Sequence, residues 1–508
     1  MSCPYSVGTG VAYRLDRRGL SLRIFMNKLT GILSVSLLAV ALLTVSCSSD
    51  SSPQLQAGAA AVDITPKAWP VPLIGSFSFR PAESAHDPLH VRALALDDGT
   101  TQLVIAVIDS CYVYRDVLDD AKQRASERTG IPTSNMLVSA THTHSAPPSK
   151  PRDNYHVPGG EDLRDNEEKY SEQLRAGIAE AITQAYKGRV AAEVGFGSAQ
   201  LPDELSNRRW FKKEGTIPPD PFGGTTDTVK MNPGRNDLVK PAGPVDPEIS
   251  VLSVRKADGT PLALLSNYSL HYVGGTGGTQ VSADYFGEFA RQISERLGSP
   301  DGFIGILSNG TSGDVNNIDF TGKRPRRERF EQIGIVAGKV ADKSFGAYQS
   351  IEHRSDLSLA MAERILTLDR RKPTEQGYEQ AKKVLTVEDE STLPRRAKPY
   401  ARRAIQLYEG PDTVDIKLQA IRIGDLGIAS SPFETFTETG LEIKEKSPLK
   451  PTFTIELANG GEGYLPTPEQ HELGGYETWL GTNRVEKQAS VKMTKVLLEL
   501  LSEVSAGK

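Results

Sequence analysis

Residues 103–140 run through an apolar stretch, a helical pattern, a glycine stop and a second apolar stretch, and this order constrains the fold more than any other feature of the chain. Residues 103–109 read as a buried strand, 115–129 as a helix stopped by Gly130, and 136–140 as a second buried strand. Such a βαβ unit requires parallel strands and a right-handed crossover. Leu174, Ile178 and Ile182 then put an apolar stripe on one side of a helix that must pack on a sheet. Asp258-Gly259, between apolar runs at 249–255 and 261–269, marks a hairpin, so antiparallel strands join the parallel ones. A helix bearing Phe286, Phe289, Ile293 and Leu297 precedes a buried strand at 303–307. Strands at 414–423, 426–430 and 452–458 follow, and a last helix carries Met493, Leu497, Leu500, Leu501 and Val504 on one side. The expected fold is α/β: one large mixed-sheet domain with helices on its faces.

Two regions give little. Residues 209–244, rich in Gly, Pro and Lys, read as a long surface loop, and residues 364–408, charged and weakly patterned, as surface helices with little chemistry.

The formal net charge is −5, from 59 basic and 64 acidic residues, so the chain lacks the basic field that nucleic-acid binding requires. Its three cysteines, Cys3, Cys47 and Cys111, have neither metal-finger spacing nor the density of a disulfide scaffold, and Cys111 reads as a small buried hydrophobe. Met26-Asn27-Lys28, the apolar run at 29–45 and Ser46-Cys47 form a charged, apolar, small-residue order typical of export. The expectation is a functional start at Met26 after an upstream extension at 1–25, a lipoprotein signal peptide at 26–46, a lipidated Cys47, a Ser-rich tether at 47–56 and a folded domain at 57–508. That places the protein in the periplasm or on the outer membrane or cell surface. It would meet the membrane through its lipid and need no obligate protein partner.

The polar constellations lie where strands end. His142 and His144 follow the strand at 136–140, and residues two apart in extended chain point to one side. Both would sit beyond the strand's carboxyl end, where open α/β sheets hold ligands. They read as metal-binding or catalytic, or as a hydrogen-bonded structural pair. His271 ends another strand before the glycine-rich stretch 274–278, and by itself fits a structural histidine equally well. The loop 309–317 contains Asp314 and Asn316 and suits either oxyanion binding or a turn. Glu434 stands where a strand gives way to a helix and could serve only the helix dipole. Tyr464 lies in a loop after a strand.

Taken in order, residues 61–66 (Ala-Val-Asp-Ile-Thr-Pro), 141–145 (Thr-His-Thr-His-Ser), Asn207-Arg208, a strand ending at His271, Gly313-Asp314-Val315, residues 432–435 (Pro-Phe-Glu-Thr), Gly463-Tyr464 and Tyr476-Glu477 resemble the neutral ceramidase family, across residues 57–482. The resemblance implies its catalytic-domain fold, one Zn²⁺ held by His142, His271, Glu434 and Tyr464, and cleavage of an N-acyl bond by a metal-activated water. It implies catalytic roles for His144, Asp314 and Asn316, and a substrate-facing position for Arg208 and Tyr476. Two departures qualify it. Asn316 and Asn317 stand where the family has serine and proline, which removes any route needing that serine. The chain also ends one helix after the Tyr476 region, so the family's C-terminal β-sandwich is expected to be absent, which puts ceramide itself in question. The expected substrate is a small molecule, lipid or glycan. The alternatives are a zinc hydrolase of a glycosidic or ester bond, and a non-catalytic surface binding protein.

Overall fold

An eight-stranded sheet built from two like halves organises the chain. In the computed structural model, which describes residues 55–151, 160–298, 301–320, 322, 325 and 327–506, the first half comprises β1 (Gln56–Asp63), β2 (His90–Asp97), β3 (Gln102–Ile108), α1 (Arg115–Thr129), β4 (Met136–Ala140) and α2 (Gly160–Lys187). The second half repeats that order with β5 (Val190–Gln200), β6 (Glu248–Lys256), β7 (Pro261–Tyr268), α3 (Asp284–Arg296), β8 (Ile304–Asn309) and α4 (Glu331–Tyr348). The expectations for Met26, Cys47 and most of the tether lie outside the described residues.

Across the sheet the order is β8-β7-β6-β5-β1-β2-β3-β4. The edge pairs β3/β4 and β7/β8 are parallel, as their βαβ connections require, and every pair between them is antiparallel. Laid flat, this order would send the carboxyl ends of β4 and β8 to opposite rims. Strand twist removes the conflict, because seven interstrand steps of about 20–25° accumulate to roughly 140–175° and turn the two edges to point the same way. One segment then bridges them: Glu456 N donates to Asn309 O at the end of β8 (3.1 Å), and Ala140 N at the end of β4 donates to Leu457 O (3.1 Å).

That segment directly follows the last strand of a second sheet, made of β9 (Leu359–Asp369), β10 (Thr413–Ile423), β11 (Leu426–Ser430) and β12 (Thr452–Ile455) in that spatial order. Its Ile421, Ile428 and Phe453 share one core with Leu94, Ile105, Leu252 and Ile306 from the curled sheet. Each such side chain contributes about 1.5–3 kcal/mol on burial, so this shared core fixes the two sheets against each other. On the outer face, α1 and α2 cover the first half through Val117, Leu174 and Ile178, and α3 and α4 cover the second through Phe286, Phe289 and Val336.

Several expectations need correction. Residues 209–244 are no simple loop: Arg209–Lys212, Val229–Met231 and Leu238–Pro241 form a three-stranded sheet, and Arg209 is fully buried against Glu477. Residues 364–408 are not all surface helix, because they begin with the second half of β9. That strand is a sheet edge with half-buried side chains, so its charged residues blur the alternation a strand should show. The helices α5 (Glu375–Thr386) and α6 (Ala397–Glu409) are present as expected. β1, β2 and β5 add strands that the sequence pattern does not announce; the Ala-rich β1 has weak strand propensity and is held by neighbours on both sides.

Candidate metal centre

Three residues remote in sequence meet where the two sheet edges converge. His142 lies two residues past β4, in the left-handed region (φ 74°), a conformation that a residue with a Cβ adopts only when its surroundings impose it. Its N–H donates to Ser110 O (2.8 Å), and its Nδ1 lies 2.8 Å from the Cys111 carbonyl, both just beyond β3. His271 lies three residues past β7, and its Nδ1 is 2.9 Å from the Ser312 carbonyl, just beyond β8. In each half, one strand of the parallel pair supplies the imidazole and the other the carbonyl that orients it.

With both Nδ1 atoms committed as donors, the two Nε2 atoms face each other at 3.0 Å. Glu434 Oε2 lies 3.3 Å from His142 Nε2 and 3.4 Å from His271 Nε2, and this buried oxygen has no hydrogen-bond partner. Two imidazole nitrogens and an orphaned carboxylate oxygen fit a cation. A tetrahedron with bonds of about 2.0–2.2 Å has edges of about 3.3–3.6 Å, close to these separations. The electrostatics agree. Burial works against charge on His142, but Cys111 and Glu434 outweigh it and hold its pKa well above the ordinary value. Burial, Arg208 and His142 push His271 down to about 3, and burial with the two neighbouring imidazoles holds His144 well below its ordinary value. Burial disfavours ionised Glu434, yet His142 and His271 keep it well below the carboxylate range. The cluster thus favours positive charge at its centre.

His144 presents its Nε2 to His142 Nε2 at 3.2 Å. Its ring stacks on Tyr272 (3.7 Å between centroids), and Gly75 packs so closely against it that a Cβ there would come within 2.4 Å of the ring. Tyr464 pairs with Glu434 in a short parallel bridge, and the Arg208 guanidinium lies over its ring, 5.1 Å from the centroid. Arg208 is buried, with Nε on Glu477 Oε1 (3.0 Å). Cys111, His142, His144, Glu434, Tyr464 and Tyr476 line a cleft of about 150 Å³.

Asp314 and Asn316 do not line that cleft. Asp314 is buried and accepts from Thr437 N, Thr437 Oγ1 (both 2.9 Å) and Asn207 Nδ2 (2.8 Å). Burial, only partly offset by Thr437, pushes its carboxyl up to about 6. Asn316 Nδ2 donates to Asn232 Oδ1 (2.7 Å), and Asn316 Oδ1 accepts from Ile318 N (3.0 Å). Both side chains spend these bonds on holding loops together.

Sequence reasoning missed Glu456, which is fully buried beneath the centre and accepts from Ser312 Oγ (2.6 Å), Ser312 N (3.2 Å) and Thr435 N (2.9 Å). It ties the loop that orients His271 to the residue beside Glu434. Its signal was a lone acid inside an apolar strand run. Arg403 of α6, in a region expected to carry little chemistry, also lines the cleft.

The fold is shared with solved ceramidases. Neutral ceramidase from Pseudomonas aeruginosa matches with a TM-score of 0.65 over 88% of this chain and 74% of that one, at 16% identity. A ceramidase complexed with C2 matches with a TM-score of 0.66 over 89% and 75%, also at 16% identity. No protein-family model and no curated protein sequence matches the chain.

Proposed function

We propose that this chain is an exported zinc-dependent hydrolase of N-acyl bonds, similar in chemistry to the ceramidases whose fold it shares. The observation that carries the proposal is the convergence of His142 Nε2, His271 Nε2 and the unpartnered Glu434 Oε2 within 3.4 Å of one another. These three residues, with Tyr464 beside them, would hold the ion, which supplies Lewis acidity and lowers the pKa of a bound water toward about 7. The protein's own groups do the rest. His144, held neutral by burial and by its neighbours, is poised to accept a proton at Nε2 from the nucleophilic water and deliver it to the leaving nitrogen. Tyr272 and Gly75 hold its ring in plane. Arg208, 5.1 Å over the Tyr464 ring, braces that side chain and is itself anchored by Glu477. Tyr476, in the cleft wall, positions the substrate.

The test is metal analysis of the purified protein together with screening against N-acyl and glycoside libraries. One zinc per chain with release of free amine supports the proposal. Release of sugar without amine would transfer the site to glycosidic chemistry, and protein that takes up no metal would point to a binding role.

Export as a lipoprotein is part of the same proposal and rests on the residue order ending at Ser46-Cys47. A fatty-acid analogue should label the wild type and not Cys47→Ala; equal labelling would refute the anchor.

A further inference from the structure

Tyr476 belongs to two walls, that of the histidine cleft and that of a second cavity of about 410 Å³. The second cavity has an apolar floor that includes Pro219, Val229, Met231 and Trp479. Lys230, Arg395 and Arg396 also line it, and Arg403 stands on the cleft side of Tyr476. Among the described residues, none of these four cations has an acidic partner within 4.0 Å. Asp227, a carboxylate in the same wall, is occupied by Trp479 Nε1 at 2.8 Å. Burial and then the charges of Lys212 and Arg395 depress the Lys230 pKa, and burial and then Arg395 depress that of Arg396, so the cations crowd one another. In a chain of net charge −5, this is a local excess of positive charge, three cations against the single carboxylate of Asp227 among the residues lining the cavity. Such an arrangement is unfavourable in the free protein and becomes favourable when an anion enters. The apolar floor beside it suits the body of an amphipathic group.

We propose that the cavity beyond Tyr476 receives an anionic half of the substrate: an amide with an apolar body against Trp479 and Met231 and a fixed acid, such as a sulfonate, sulfate, phosphate or carboxylate, between Lys230 and Arg395. This rests on the hydrolase reading of the cleft. A neutral N-acyl amine would leave the cations unpaired, so the cavity selects against it.

Two measurements on the zinc-loaded full chain test this. Calorimetric binding of octanesulfonate, with octyl glucoside as the neutral probe, is compared between wild type, Lys230→Ala/Arg395→Ala and the charge-preserving Lys230→Arg/Arg395→Lys. Amine release from N-dodecanoyltaurine is compared with that from N-dodecanoylethanolamine in the same three proteins. The expected result is that octanesulfonate binds wild type and binds the alanine pair at least tenfold more weakly, and that the charge-preserving pair recovers the binding. The ratio of kcat/KM for taurine over ethanolamine amide should fall by a similar factor in the alanine pair. Equal octanesulfonate binding in all three proteins, or none in wild type, overturns the inference. So does hydrolysis that favours the neutral amide in wild type, although the hydrolase reading then stands. Charge-dependent octanesulfonate binding without amine release from either amide sinks the hydrolase reading and leaves an anion-selective cavity.

Discussion

The Nε2 atoms of His142 and His271 face each other at 3.0 Å, although 129 residues separate them in sequence. Each ring's other nitrogen is committed to a backbone carbonyl, so neither ring can turn away. With Glu434 at their side, removing either imidazole leaves too few ligands for tight zinc binding. His142→Ala and His271→Ala should each lose stoichiometric zinc by elemental analysis and lose hydrolysis. His144→Ala should retain zinc and lose activity by about 100-fold, the range of a missing general acid or base. Should His144→Ala lose the metal while His142→Ala keeps it, the two roles are exchanged.

Gly75 tests His144 from outside the centre. Its φ is +85°, and a Cβ at this position would lie 2.4 Å from the His144 ring, so there is no room for a side chain. Gly75→Ala should displace the ring, lowering kcat at least tenfold with zinc content unchanged. Wild-type kcat in this variant would show that His144 can move without consequence.

Glu456 accepts two backbone N–H groups and one hydroxyl at a fully buried position. Glu456→Ala orphans both N–H groups and should cost about 2–4 kcal/mol in chemical denaturation. Because the same bonds hold the loop that orients His271, zinc affinity should fall by about 10–100-fold, the range seen when outer partners of metal ligands are removed. Glu456→Gln keeps an acceptor for the amides and should lose far less on both counts. Unaltered zinc affinity in the alanine variant would restrict Glu456 to a purely structural part.

Glu456 also makes a prediction about pH. Burial, opposed in part by Ser312 and Thr435, raises its pKa from 4.5 to about 8. Between these values the folded chain keeps a proton that the unfolded chain has released, so this carboxyl's contribution to stability falls as pH rises from 4.5 to 8. In chelator-treated protein, the unfolding free energy of wild type minus that of Glu456→Gln should decline across that window. A flat or rising difference would mean that Glu456 is ionised in the folded chain.

Much of the site was legible because its members follow strands. The apolar run at 136–140 announces β4, and His142 comes directly after it; the hairpin around Asp258-Gly259 announces β7, and His271 follows. Glu434 and Tyr464 were harder to read, since a lone carboxylate or phenol in a loop has many ordinary uses. The resemblance singled them out, and the short parallel bridge between them explains why they stand together. Asp314 and Asn316 sit in a motif that suggests chemistry, but their local partners, Thr437, Asn207 and Asn232, come from distant segments that no periodicity reveals.

The sequence by itself determined the first parallel edge pair, the helices of the sheet faces and the polar residues at strand ends, because apolar period, glycine stops and the handedness of βαβ units act over short stretches of chain. Only the tertiary structure decided that these ends meet. β4 and β7 run to opposite rims on a flat drawing of the sheet, and it is the accumulated twist of eight strands, closed by the bonds from Asn309 and Ala140 to Glu456 and Leu457, that brings His142 to His271. Twist adds up over the whole sheet and belongs to no local segment, so no local pattern could announce the centre it creates.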